Sequence, residues 1–248
     1  MDVVVVDDAA AVGEHVAGLV SGMVERDPGL VLGVATGATM LPAYRALARG
    51  SGDLSRVHIV ALDEYVGVPA AHPASFAAYV EREIVVPLGI PQHQVVVPQG
   101  SGEELERRIE EVGGVALQLL GIGRNGHLAF NEPGSPLDAR SRVVALSETT
   151  RQDNAGSFGD ERVPTHAMTQ GLGTILEAGR LVLLATGEAK AEAVVAALTG
   201  PVTPDCPASV VQWHPRVTVV LDVAAASALQ RRRSVEGAER ERVHHPQL

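Results

Sequence analysis

An adjacent pair of acids, Asp63 and Glu64, closes the apolar run Val57–Leu62 and leads into Tyr65. Side chains alternate across a strand, so the two carboxyls point to opposite faces and do not form a carboxylate pair. One can face a crevice while the other is solvated or paired. A partly desolvated carboxylate there has its pKa raised toward neutrality, where it works as a general base. On this dipeptide alone, two solvated strand-end acids are an equal alternative. A denser group is Gly121-Ile122-Gly123-Arg124-Asn125-Gly126-His127-Leu128-Ala129-Phe130-Asn131-Glu132-Pro133-Gly134. It gathers the titratable His127, the carboxylate Glu132 and the carboxamides Asn125 and Asn131. An imidazole exchanges protons near neutral pH, and an acid or amide partner fixes its tautomer. The loop also carries a formal G-x-G-x-x-G match after an apolar run. A dinucleotide site is rejected: Pro133 and Gly134 cut short any helix, and no acid closes a following strand to bind a ribose.

Two other segments could hold an anion. Thr36-Gly37-Ala38-Thr39 lies between an apolar run and the helical pattern Leu41–Arg49. Gly37 permits close backbone approach, the threonines offer hydroxyls, and the helix start supplies free N–H groups. The spacing and lysine of a Walker A loop are absent, so a nucleoside triphosphate is not implied. An ordinary turn with a threonine cap fits this stretch equally. In Thr186-Gly187-Glu188-Ala189-Lys190, the lysine falls in the first helical turns, where a cation opposes the dipole unless an anion is present. An exposed helix lysine is the simpler reading of that segment alone.

These pieces share a position in the chain pattern: each follows a short apolar run. The runs Val3–Val6, Leu30–Ala35, Val57–Leu62, Val95–Val97, Val115–Leu120, Leu181–Ala185 and Val217–Val220 read as strands. Ala9–Glu25, Leu41–Arg49, Ser75–Glu83, Glu103–Glu111 and Glu188–Leu198 read as helices. Such alternation, with near-continuous apolar strands, predicts an α/β fold, a mostly parallel sheet with helices on both faces. The functional crevice of such a sheet lies beyond the carboxyl ends of its strands. No repeat, linker or composition break divides the chain, so residues 1–248 are expected to form a single domain. The Arg- and Glu-rich stretch 230–248 is expected to be a solvated, fraying tail.

Composition narrows the functions. With 46% hydrophobic, 20% charged and only 3% aromatic residues, Val, Ala and Leu must build the core. A net charge of −10 argues against a nucleic-acid surface but not against one bound phosphate. The lone Cys206 excludes an internal disulfide and a Cys-rich metal site, and reads as a small inert side chain. The acidic start Met1-Asp2 does not suit a signal peptide, and no stretch approaches the roughly 18 apolar residues of a membrane span. A cytoplasmic protein with no membrane partner is the expectation.

Taken together the segments resemble the glucosamine-6-phosphate deaminase (isomerase) family over nearly the whole chain. The carrying stretches are Val34–Thr39, Leu62–Gly67 with His72-Pro73, Gly121–Gly134, Glu148–Asn154, Val163–His166, Gly171–Leu176 and Thr186–Lys190. Gly200–Pro204 and Pro207–Ser209 continue it. The resemblance implies a Rossmann-like α/β fold without metal or redox cofactor, acting on a small-molecule amino-sugar phosphate. Family members occur in more than one oligomeric state, so a homo-oligomer is compatible. By resemblance Asp63 carries a proton between C2 and C1 of the open-chain sugar, and His127, oriented by Asn125 and Glu132, opens the ring. Thr36, Gly37, Ala38, Thr39 and Lys190 would hold the 6-phosphate.

Three departures stand out. Many members have Asp where this chain has Asn125, an amide that orients but cannot charge-stabilise an imidazolium. The family often has a phosphate-binding Arg where Gly156 stands, which would leave that task to Arg151 or Arg162. Some members bind an allosteric sugar phosphate through basic residues after the Asn-Glu-Pro stretch; Arg142 could match, but Val144 and Ala145 cannot, so that regulation is not expected. Leu146–Thr169, with Gly156 and Gly159, is expected to be a mobile lid. The rival readings are a sugar lactonase such as a 6-phosphogluconolactonase, and a non-catalytic sugar-phosphate sensor of the same fold.

Overall fold

The computed structural model describes residues 1–50 and 52–232. In chain order, β1 (Asp2–Val6), α1 (Ala9–Val24), β2 (Val31–Val34), α2 (Leu41–Arg49) and β3 (His58–Ala61) come first. Then follow β4 (Asp63–Tyr65), α3 (Phe76–Val80), α4 (Val86–Leu88), β5 (Val95–Val96), α5 (Gly102–Glu111) and β6 (Leu117–Gly121). A π-helical turn, Glu81–Val85, joins α3 to α4. The remainder is β7 (Arg142–Ala145), α6 (Glu148–Asn154), β8 (His166–Thr169), α7 (Leu172–Leu176), β9 (Leu181–Ala185), α8 (Ala191–Thr199) and β10 (Val217–Asp222). Residues 223–232 are helical, so the first residues of the expected tail continue a helix; its remainder, 233–248, lies outside the described residues.

Seven strands make a parallel sheet in the order β1-β10-β9-β6-β2-β3-β5. The inner strands are buried on both faces, as Val31–Val34, Leu181–Ala185 and Val217–Asp222 each are throughout. That double burial is why they read as unbroken apolar runs rather than alternating ones. From β2 the chain steps outward through β3 to β5, then returns to β6 and steps the other way to β9 and β10. The order reverses between β2 and β6, so the loops leaving these neighbours diverge and open a crevice at their carboxyl ends.

A second sheet, β4-β8-β7, is antiparallel and three-stranded. It pairs Asp63 with Thr169 and Tyr65 with Ala167, which sets β4 across the mouth of the crevice. The side chain of Glu64 turns away from the crevice and accepts N–H bonds from Tyr65 (2.8 Å), Phe76 (3.0 Å) and Ala77 (2.7 Å). With Ser75, which accepts from Ala78 N–H, it caps α3 across a long stretch of chain. Burial pushes the Glu64 carboxyl up from the ordinary carboxylate range, and the three N–H groups pull it back down. Glu64→Ala leaves those donors without an acceptor and is expected to cost about 2–4 kcal/mol in urea denaturation. A loss below about 0.5 kcal/mol would show that the cap does not stabilise this junction.

The expected lid is not one mobile loop. Ala167, Met168 and Thr169 are buried in β8, the central strand of the second sheet. Only the part before it, α6 and the turn Ala155–Ser157, lies over the crevice.

Candidate active site

At the point of strand reversal lies a cavity of about 540 Å³, lined by residues that follow β2, β3, β6 and β9. Asp63, His127, Lys190 and the whole Thr36–Thr39 turn line it. Asn125 and Glu132 stand behind His127 rather than in the wall. The loop Gly121–Gly134 forms no helix before its proline, so it presents side chains and not a nucleotide cradle.

Asp63 is 7% exposed, and its carboxyl takes no hydrogen bond from any described residue. Burial, and then the charge of Glu64, push it up to about 8. A carboxyl near 8 is mostly protonated at neutral pH, but a cation brought into the cavity would ionise it. An apolar wall helps to keep it dry. Although aromatics are scarce, all three phenylalanines gather with Tyr65 beside it. Ring centroids lie 4.8 Å from Tyr65 to Phe76, 5.7 Å to Phe130 and 5.2 Å to Phe158. Phe76 and Phe130 also line the cavity.

The His127 ring lies against the backbone of Gly123, where a Cβ would come within 2.3 Å of it. The loop glycine is therefore needed for the ring's position and not for a pyrophosphate. Burial lowers the His127 pKa below its ordinary value, Glu132 raises it, Lys190 lowers it and Asp153 raises it. Nδ1 is buried without a hydrogen-bond partner, and the Glu132 carboxylate stands 3.9 Å away. Asn125 makes no hydrogen bond to the ring. Its amide donates to Glu132 Oε2 (2.8 Å), and its Oδ1 accepts from the backbone N–H of His127 (3.2 Å). The amide thus braces Glu132 and the His127 backbone, and orients the imidazole through them. The hydroxyl of Thr150, on α6, donates to the other Glu132 oxygen.

The turn Thr36–Thr39 precedes α2, whose first turn has no side-chain cap. Gly37 adopts φ +106°, a conformation that residues with a Cβ avoid, and its carbonyl accepts from Tyr79 Oη (3.0 Å). Lys190 ends the turn Glu188–Lys190 at the head of α8. Burial lowers its pKa, Arg124 lowers it further and Asp153 raises it. The turn is anchored by Asp222 at the end of β10, which accepts from Gly187 N–H at 3.0 Å. Arg124 pairs with Asp153 at 3.0 Å.

Neither arginine expected to replace the one absent at Gly156 lines this cavity. Arg151 does not reach it, and Arg162 borders a separate cavity of about 360 Å³ beside His72. The arginine that does line it is Arg82, on the π-helical turn. Arg142 faces inward and donates to Asn131 Oδ1 (2.9 Å), a structural brace. Gly156 is in the roof turn, and a Cβ placed there meets nothing within 4 Å.

Comparison with known proteins places this geometry. Residues 7–220 match the family described as glucosamine-6-phosphate isomerases/6-phosphogluconolactonase. A glucosamine-6-phosphate deaminase of Streptomyces avermitilis is 51% identical, the alignment covering 93% of both chains. One from Arthrobacter sp. is 46% identical with the same coverage. Among solved structures, a monomeric glucosamine-6-phosphate deaminase superposes with TM-score 0.88 at 36% identity, covering 92% of this chain and 100% of that one. The 6-phosphogluconolactonase of Trypanosoma cruzi shares the fold at TM-score 0.75 and 18% identity, covering 92% of this chain and 96% of its own. A parallel sheet reversing at β2 and β6, a buried acid after β3 and the histidine loop after β6 therefore carry a known lineage: the chain belongs to the glucosamine-6-phosphate isomerase/6-phosphogluconolactonase family.

Proposed function

We propose that the chain converts glucosamine 6-phosphate and water into fructose 6-phosphate and ammonia. The observation that carries this reading is Asp63, a buried carboxyl that accepts no hydrogen bond from the described residues, in the same cavity as His127. The deaminases at about half identity over nearly the whole chain support it. His127 moves the protons that open the ring, taking one from the C1 hydroxyl and giving one to the ring oxygen. The substrate's 2-ammonium group stabilises the Asp63 carboxylate, which then takes the C2 hydrogen as a proton and returns it to C1. The electron pair left at C2 moves toward the aldehyde oxygen, which takes a proton from the ammonium to give the enolamine, and protonation at C1 then leaves a protonated imine at C2. Water adds to that imine, and ammonia leaves. Thr36, Gly37, Ala38, Thr39 and Lys190 hold the phosphate, which fixes the reacting end for attack.

A lactonase needs an acid or base for water but no second base for a C–H bond, so Asp63 would be idle in that reading. A sensor would bind without turnover. The deciding experiment is ammonia release from glucosamine 6-phosphate and galactosamine 6-phosphate, beside lactone hydrolysis. Binding without ammonia from either sugar would overturn the proposal. Because Gly156 faces open space, Gly156→Arg is expected to lower KM for the sugar phosphate several-fold, as for one added charge-assisted contact. An unchanged KM would show that the cavity's own cations already saturate the phosphate.

A solved relative is described as monomeric, which supports a single chain as the working unit. No helix among the described residues is long and apolar enough to cross a membrane. The proposal places the enzyme in the cytoplasm, where sugar phosphates are made and retained.

A further inference from the structure

The side chains lining the cavity include two basic groups, Lys190 and Arg82. Two acids, Asp63 and Asp153, also line it, and Asp153 is already paired with Arg124. A phosphate dianion held by Lys190 alone would keep uncompensated charge in a half-enclosed site. The π-helical turn supplies a second cation. Helix α3, the turn Glu81–Val85 and α4 run without a break from Phe76 to Leu88. A π turn inside a helix widens the backbone spacing and re-aims the side chains on it, and such turns recur at functional sites.

Here Tyr79 and Arg82 come onto one face. The hydroxyl of Tyr79 donates to the carbonyl of Gly37 (3.0 Å), and the guanidinium carbon of Arg82 lies 5.8 Å from the centroid of the Tyr79 ring. Arg82 is thereby tied to the Thr36–Thr39 turn through one intervening ring. Its Nε donates to Glu83 (2.7 Å), while its terminal amino groups make no hydrogen bond to the described residues. A guanidinium held by Nε and stacked on a ring still offers a donor fork, the geometry that suits a phosphate.

We propose that Arg82 is a substrate-binding residue that grips the 6-phosphate with Lys190 and the Thr36–Thr39 turn, and so selects phosphorylated over free amino sugars. This rests on the proposed deaminase reading, since it names the part of the substrate that Arg82 holds. The side chain is 57% exposed, so replacing it should not disturb the core.

The test is Arg82→Gln, with Arg82→Lys beside it. For glucosamine 6-phosphate, Arg82→Gln is expected to raise KM about 10- to 100-fold with kcat within about twofold, the loss typical of a charge-assisted contact. Calorimetric binding of glucose 6-phosphate, which has no amine to lose, should weaken by the same factor. Inhibition by unphosphorylated glucosamine should stay within about twofold, and Arg82→Lys should fall between the two proteins. An unchanged KM and unchanged glucose 6-phosphate binding would overturn the assignment. So would equal weakening of phosphorylated and free sugars, the mark of a merely structural role. If the wild type releases no ammonia, the deaminase reading fails, yet the glucose 6-phosphate comparison still decides whether Arg82 binds phosphate.

Discussion

Asp63→Asn is expected to cut ammonia release by about 10³-fold or more, the upper part of what general base catalysis supplies. Affinity for the sugar phosphate should stay within about tenfold, because Asn keeps the shape and the phosphate grip is elsewhere. The same substitution is expected to stabilise the fold. Asp63 titrates near 8 when folded, against an ordinary 3.8, so folding takes up a proton between those values. Its stability is whole below pH 4 and falls as pH rises through about 8, where the carboxylate must be held in a dry site. Asn carries no such cost. The variant should melt several degrees above wild type at pH 8.5, at about 2–4 °C per kcal/mol, and lose that advantage near pH 4. A variant less stable at pH 8.5, or one retaining a tenth of the wild-type turnover, would remove Asp63 from the role of buried base. The wild-type kcat/KM should correspondingly rise with pH toward 8 as the free enzyme's base ionises.

His127→Gln carries the second largest effect, a fall of about 10² to 10⁴ in turnover. The form of the residual activity is the sharper test. Without an imidazole the enzyme must wait for sugar that opens by itself. At high enzyme concentration the variant's rate should therefore level off at the uncatalysed opening rate, whereas wild type keeps scaling. Linear scaling at a near-normal rate would show that His127 does not open the ring. The unpartnered Nδ1, with Glu132 at 3.9 Å, fits a ring that tightens on its carboxylate only when it gains a proton.

The parallel sheet was legible because its strands are buried on both faces and so read as plain apolar runs, with Leu41–Arg49 and Leu181–Ala185 recovered to the residue. The second sheet was not. Asp63–Tyr65 contains two acids, residue types that favour other structure, and its pairing with His166–Thr169 is set by tertiary contacts alone. Strand alternation did separate Asp63 from Glu64, but sequence could not reveal that Glu64 caps a helix a dozen residues on. Arg82 was hidden for a similar reason. A regular helix over Ser75–Glu83 gives no hint of a π turn, and it is that turn which accompanies its place in the cavity wall. Asp222 escaped notice because it ends a strand in an otherwise apolar run, and its task is to hold the Lys190 turn.

The central claim is that one carboxyl, Asp63, breaks the C2–H bond. Proton NMR in deuterium oxide follows that bond directly, apart from ring opening and ammonia release. With glucosamine 6-phosphate, wild type is predicted to deliver fructose 6-phosphate with its new C1 hydrogen on one face only, while Asp63→Asn binds the sugar and leaves its C2 hydrogen intact. Loss of the C2 hydrogen at a comparable rate in Asp63→Asn would contradict the account.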